Sequence, residues 1–233
     1  MFKIDNVSMI YDLNSDEKSI ALNGFSLELP DKGFVGIIGP SGSGKSTLMY
    51  IMSTLKTPTE GKVFYNGQDI TVLSEKEKEK LRRNEFGFVF QKHYLVPYMN
   101  TIENVCVAGN GNYKELVAKG GKYLNSFGIK DKEFKKKPSK LSGGQCQRVA
   151  IARAMINEPK VIFADEPTAS LDHENAFKVM NILKEYANEK LIVVVTHDRT
   201  ILEDADMIVK IWDGKLSEVR KMDKESRVED EAI

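Results

Sequence analysis

Apolar and polar residues alternate in two runs near the start of the chain. The runs Phe2-Lys3-Ile4-Asp5-Asn6-Val7 and Phe25-Ser26-Leu27-Glu28-Leu29 predict two half-buried antiparallel strands, with a polar loop from Asp12 to Lys18 between them. Phe34-Val35-Gly36-Ile37-Ile38 is nearly all apolar and breaks into a Gly/Ser-rich turn, the pattern of a parallel strand buried on both faces. A helix is expected from about Lys45 to Leu55. Strand-length apolar runs recur at Phe86 to Phe90, Val161 to Ala164 and Leu191 to Val195, and helical stretches separate the later ones. That order predicts an α/β core.

From about Pro97 to Met155 the strand signals disappear, which predicts a helical lobe inserted into that core. The expected organisation is a single domain over 1–233. Residues 1–96 and 156–233 form the α/β core with an antiparallel β subdomain, and 97–155 form a helical subdomain. Ser74 to Arg83 reads as a solvated helix laced with i,i+4 charge pairs, and Lys132 to Lys140 as a solvated loop. The charged tail from Lys221 to Ile233 is expected to fray.

Lys plus Arg and Asp plus Glu each total 34, so the net charge is zero and nothing pulls the chain as a whole toward nucleic acid or anionic lipid. Any anion site must be local. The longest clean apolar runs fall far short of the roughly 20 residues of a spanning helix, so the chain is not expected to cross a membrane by itself. Its N-terminus has no export-signal pattern, and the expected compartment is the cytosol. Cys106 and Cys146 form no CxxC pair, which leaves a zinc site or disulfide framework without support.

Candidate chemistry begins at Gly39-Pro40-Ser41-Gly42-Ser43-Gly44-Lys45-Ser46, followed by Thr47. This run has the full GxxxxGK[ST] spacing and lies between a buried strand and a helix, where a phosphate cradle must lie. Its glycines let backbone N–H groups converge on phosphate oxygens, the helix N-terminus adds a favourable dipole, and Lys45 supplies a point charge. Ser46 is placed to ligate Mg²⁺. Val161 to Ala164 delivers Asp165 and Glu166 to a strand end, where ligands gather in open α/β sheets. Asp165 is expected in the Mg²⁺ shell, and Glu166 is expected to orient and partly deprotonate the attacking water. His197 and Gln91 end two further strands and have the same address.

Leu141-Ser142-Gly143-Gly144-Gln145 resembles the signature sequence of ABC ATPases. With it, the P-loop, Gln91, Asp165-Glu166, Ser170-Leu171-Asp172 and His197 resemble that family's Walker A, Q-loop, Walker B with catalytic Glu, D-loop and H-loop, in family order. The resemblance spans nearly the whole chain. It implies a P-loop NTPase fold of the ABC-ATPase kind, with a RecA-like core, an antiparallel β subdomain and an inserted helical subdomain. It also implies ATP and Mg²⁺ as cofactors, with Ser46, Gln91 and Asp165 at the metal and Glu166 and His197 as catalytic residues. Tyr11 resembles the aromatic residue that stacks on adenine.

Ser142, Gly143, Gly144 and Gln145 open a helix and make a second anion-binding N-terminus. In ABC proteins such a run caps the ATP held by a partner's P-loop, so a head-to-tail homodimer is implied, with Ser142, Gly143, Gly144, Gln145 and the D-loop Asp172 among the nucleotide-binding residues. A separate transmembrane permease subunit is the implied partner, and membrane association on the cytoplasmic face runs through it. The short chain, the Phe90-Gln91 context and the Glu103-Asn104-Val105 run resemble the MacB, LolD and FtsE group of extruders and mechanotransmitters. A non-transporting regulatory ABC ATPase is the alternative. Cys146 and Ala169 depart from the common family pattern, and Cys146 suggests sensitivity to thiol oxidation.

Overall fold

The computed structural model describes residues 1–12 and 18–222. The interior of the Asp12–Lys18 loop and the tail beyond Met222, expected to fray, lie outside the described residues. Lys221 itself ends a strand.

The antiparallel sheet has the order β2-β1-β4-β5, built from β1 (Phe2–Tyr11), β2 (Ser19–Leu29), β4 (Glu60–Tyr65) and β5 (Gln68–Asp69). β2 starts well before the expected Phe25, because register shifts along β1 and β2 break the alternation that would have marked its first half. The second sheet has the order β10-β9-β3-β8-β7-β6, with β3 (Gly33–Ile38), β6 (Phe86–Val89), β7 (Val161–Asp165), β8 (Leu191–Thr196), β9 (Met207–Trp212) and β10 (Lys215–Lys221). β9, β3, β8, β7 and β6 are parallel, and β10 returns antiparallel to β9. The two residues joining β9 to β10, Asp213 and Gly214, both take positive φ (47° and 70°), as a tight hairpin requires.

The helices are α1 (Lys45–Met52), α2 (Glu75–Glu85), α3 (Thr101–Cys106), α4 (Tyr113–Ser126), α5 (Gly143–Met155) and α6 (His173–Tyr186). α1 stops short of the expected Leu55. Thr54 turns left-handed at φ 60°, and the Leu55 and Lys56 N–H groups both return to the Tyr50 carbonyl. α2 is the mostly exposed helix expected, but its anchoring is not i,i+4 pairing: Lys78 is buried and donates to Thr57, its carboxylate partner Glu75 is three residues away, and Arg82 donates to the Thr54 carbonyl. Long cationic stems covering apolar surface explain how so polar a sequence still packs.

Each face of the parallel sheet carries its own core. On one face Ile37, Phe163, Val193 and Val195 pack with Leu48, Met49 and Met52 of α1 and with Phe2, Ile4 and Phe25 of the antiparallel sheet. On the other, Ile162, Ala164, Ile192 and Val194 pack with α5 and α6, and the same cluster takes in Val105 of α3 and Leu124 of α4. The segment between β6 and β7 is helical among its described residues and shares this apolar core. Phe163, fully buried, meets the rings of Phe2 and Phe86 at centroid distances of 6.0 and 5.3 Å, so one side chain ties the two sheets together. Burying such a ring contributes on the order of 2–3 kcal/mol. The result is a pair of sheets whose strand ends face one cleft.

Candidate nucleotide site

The turn from β3 into α1 is held on three sides. The Gly214 N–H donates to the Ser43 carbonyl at 3.1 Å, and the Gly214 carbonyl accepts from Asn23 of β2 at 3.0 Å. A Cβ on Gly39 would lie 2.3 Å from the Ile211 carbonyl oxygen, and one on Gly44, at φ 99°, would lie 2.2 Å from that of Ala21. Only glycine fits these approaches. Lys45, nearly buried, donates from Nζ to the carbonyls of Gly39 (2.9 Å) and Pro40 (2.8 Å), which folds the loop around its own cation. Burial lowers the Lys45 pKa, and the carboxylates of Glu166 and Asp165 act against that shift.

Asp165, at the end of β7, is buried and doubly bonded. Ser46 Oγ donates to Oδ1 and Tyr50 Oη to Oδ2, each at 2.9 Å. Ser46 and Tyr50 are one turn apart on α1, so a single helix face presents both donors. The sequence reading missed Tyr50: its i+4 spacing places it on the helix face of Ser46 but does not say what that face meets. Burial first, and then the Asp165 charge and hydrogen bond, push the Tyr50 phenol up to about 12, so it stays a donor at neutral pH.

Glu166 follows in a left-handed conformation, φ 46°, its N–H donating to the Val195 carbonyl at 2.8 Å. A non-glycine residue held there stores strain of order 1–2 kcal/mol, and such residues cluster at functional sites. Its Oε2 accepts from Thr196 Oγ1 at 3.1 Å, and its Oε1 lies 2.8 Å from His197 Nδ1. Thr196 is a second residue that the sequence reading passed over, hidden because it looked like one more strand position.

Tyr11, Ser41 to Thr47, Gln91, Glu166 and His197 line one cleft of about 680 Å³. Gly39 and Pro40 lie beneath it as the carbonyl partners of Lys45. Tyr11 Oη is 3.3 Å from Thr47 Oγ1, and Lys56 Nζ sits 4.5 Å from the Tyr11 ring centroid, covering one face of the ring. The volume falls in the range of small-molecule sites, roughly 300–1,000 Å³. Ser46 and Asp165 offer hard oxygen donors, and Gln91 adds a side-chain carbonyl. Such a set suits Mg²⁺, which takes few protein ligands and completes its shell with phosphate and water.

Ser142, Gly143, Gly144, Gln145 and Asp172 do not line this cleft. They form a second constellation at the N-termini of α5 and α6. Ser142 caps α5 by accepting from the Gln145 N–H at 3.2 Å, and Gln145 Nε2 donates to Glu133 at 2.7 Å, so the Gln145 side chain is committed inward. Asp172 caps α6 through Asn175. Asn175 in turn abuts Gly144, and Ser142 and Gly143 remain exposed. Cys146 is half-buried, and burial pushes its thiol pKa up; the protonated form dominates, which counts against the expected sensitivity to oxidation.

Comparison with known proteins agrees with this geometry. The ABC transporter family profile matches residues 22–169, more than half of the chain. The lipoprotein-releasing system ATP-binding protein LolD of Aquifex aeolicus is 48% identical over 199 residues, covering 84% of this chain and 88% of that protein. The macrolide export ATP-binding/permease protein MacB of Vibrio parahaemolyticus is 37% identical over 93% of this chain, which spans 33% of that longer protein. Among solved structures, the dimeric post-hydrolysis state of the ATP-binding cassette MJ0796 with ADP and Pi superposes with a TM-score of 0.88 at 37% identity, covering 96% of this chain and 99% of that one. This chain belongs to the ABC transporter family and is an ATP-binding, ATP-hydrolysing cassette of the LolD and MacB type.

Proposed function

We propose that two copies of this chain close head to tail on ATP and drive a separate transmembrane subunit, in export or mechanotransmission, from the cytoplasmic face of the membrane. The observation that carries this reading is the separation of the two constellations. One cleft gathers Lys45, Gln91, Glu166 and His197, while the exposed Ser142 and Gly143 open a helix N-terminus away from it. A second anion-binding terminus finds a use when it caps the phosphate held by another copy.

In this reading the β- and γ-phosphates enter the P-loop, and Lys45 exchanges its carbonyl partners for phosphate oxygens. Tyr11 stacks on adenine with the ring face that Lys56 leaves open. Ser46, Asp165 and Gln91 would hold Mg²⁺, which would supply Lewis-acid neutralisation of the phosphate charge. Glu166, fixed by Thr196 and His197, orients a water in line with the γ-phosphorus. The water oxygen bonds to phosphorus as the bond to the bridging oxygen breaks, and Glu166 takes up the water proton. His197 donates toward the γ-phosphate, and Asp172 reaches across the dimer.

The transmembrane subunit docks in the groove of about 500 Å³ beside Gln91, between α2, β6 and α5, where Phe88, Phe90, Tyr94, Arg82 and Arg83 present aromatic and cationic surface. Arg153 of α5 donates to the carbonyls of His93 and Tyr94 at 2.7 Å, which links the helix that begins at Ser142 to the segment after Gln91. The test is turnover against protein concentration, with Ser142→Ala alongside. Second-order dependence and a large loss in the variant are expected. Full turnover by a strict monomer indifferent to Ser142 sinks the dimer reading.

A further inference from the structure

A small cavity of about 120 Å³ lies under the β9–β10 hairpin, apart from the nucleotide cleft. Strand register builds it. Glu218, Lys210 and Ile38 form one row across β10, β9 and β3, and Arg220, Ile208 and Gly36 form the next. Residues two apart on a strand share a face, so Lys210, Glu218 and Arg220 stand together. Arg199 joins them from the turn after β8, and Leu202, packed hard against Gly36, closes the apolar floor with Ile38.

The cavity brings three cations against one carboxylate. Glu218 accepts from Arg220 Nε at 2.5 Å, and among the described residues no second carboxylate lines the space. The pKa of Glu218 is lowered, first by that hydrogen bond and then by the charges of Arg220, Lys210 and Arg199, so all three cations act on the same point. Two positive charges are left over. The volume is far below the roughly 300 Å³ at which small-molecule sites begin, which rules out a nucleotide. Inorganic phosphate carries about −1 to −2 charges near neutral pH, and arginine forks match its oxygens.

We infer that this cavity is a further anion site, apart from the P-loop and the Ser142 helix terminus, taking one free inorganic phosphate ion. Arg199 lies two residues beyond His197, and the intervening turn is pinned: Asp198 N–H donates to Thr196 Oγ1 at 3.1 Å and Thr200 N–H to Asp198 Oδ1 at 2.9 Å. Phosphate held by Arg199 therefore stiffens the segment that fixes Glu166, and the product of hydrolysis slows turnover from outside the cleft.

The full chain carrying Lys45→Ala, which weakens the P-loop, is titrated with inorganic phosphate by calorimetry. It is expected to keep one saturable phosphate site, which adding Lys210→Gln and Arg220→Gln weakens about tenfold or more, the loss of two charge-assisted contacts. Placed in the otherwise unsubstituted chain, the same two changes leave turnover at low phosphate unchanged and remove most of the inhibition by added phosphate. Absence of a saturable site in Lys45→Ala, equal affinity with Lys210 and Arg220 replaced, or equal competition by chloride at matched ionic strength overturns the inference.

Discussion

Oε1 of Glu166 lies 2.8 Å from Nδ1 of His197 and accepts that residue's backbone N–H at 3.1 Å. The carboxylate is thus gripped twice by the residue that follows β8, on a backbone already twisted to φ 46°. Glu166→Gln keeps the shape and most of these contacts but cannot accept a proton. Turnover is expected to fall about 10²–10⁴-fold, the usual span for a general base, while ATP affinity stays near normal and an ATP-bound dimer accumulates. Phosphate release together with size-exclusion chromatography in ATP checks this, and near-normal turnover contradicts the role given to Glu166.

Lys45→Ala acts at the opposite end of the cleft. It removes the one cation that the P-loop wraps with the Gly39 and Pro40 carbonyls, so both the ligand charge and the loop shape suffer. Nucleotide affinity is expected to drop about tenfold or more, the weight of a charge-assisted contact. Equilibrium binding of a fluorescent ATP analogue separates this loss from that of Glu166→Gln.

Tyr50 gives a pH signature. The unfolded phenol titrates near its ordinary 10.0, and in the folded chain burial and Asp165 push it up to about 12. Across that window the folded state holds a proton that the unfolded state has released, so stability falls as pH rises through it and is unaffected below. Tyr50→Phe removes this alkaline component. It also leaves Asp165 Oδ2 short of a donor, a cost of about 1–3 kcal/mol at neutral pH. Urea unfolding of both chains from neutral pH to the top of the window reads both effects, and parallel pH curves would count against the assignment.

The alternating and all-apolar runs were enough to anticipate β1, β3, β6, β7 and β8, because strands buried on one or both faces leave a period-two or continuous apolar record. The hairpin β9–β10 went unread although Asp213-Gly214 is a strong two-residue turn signal, since no glance at local pattern tells that its turn touches the P-loop. At the site, the phosphate loop and the Asp165-Glu166 pair were legible because backbone chemistry dictates their spacing. Tyr50, Thr196 and Asn23 were not. Their roles come from tertiary approach, and a tyrosine on α1 reads the same in sequence whether it faces solvent or a buried aspartate.

That turn can be tested directly. A Cβ on Gly214 would lie 3.0 Å from the Ala21 carbonyl oxygen and 3.1 Å from Leu22 Cα, at a φ of 70° that side chains resist. Gly214→Val is expected to cost about 1–2 kcal/mol of stability from the left-handed strain alone. Because the Gly214 N–H holds the Ser43 carbonyl, the P-loop should also loosen, and ATP affinity should fall with kcat less affected. Unchanged affinity alongside lower melting temperature would reduce the turn to a structural role.

The last prediction concerns the second constellation. A Cβ on Gly144 would lie 2.7 Å from Asn175 Oδ1 and 2.8 Å from its Cγ, so Gly144→Ala must push α5 away from α6. Asn175 cannot give way freely, since its N–H and Nδ2 are both bonded to Asp172, at 2.9 and 2.8 Å. The clash therefore moves Ser142 and Asp172 relative to each other and leaves the P-loop cleft alone. Gly144→Ala is expected to abolish ATP-driven dimerisation and most turnover while ATP affinity of the monomer is kept. Shortening the obstacle with Asn175→Ser in the same chain should restore part of both, a coupling that a double-mutant cycle measures at about 0.5–3 kcal/mol for residues in contact. Additive effects of the two changes would mean that the helix ends are set independently, and the contact between Gly144 and Asn175 would then carry no information between the signature run and Asp172.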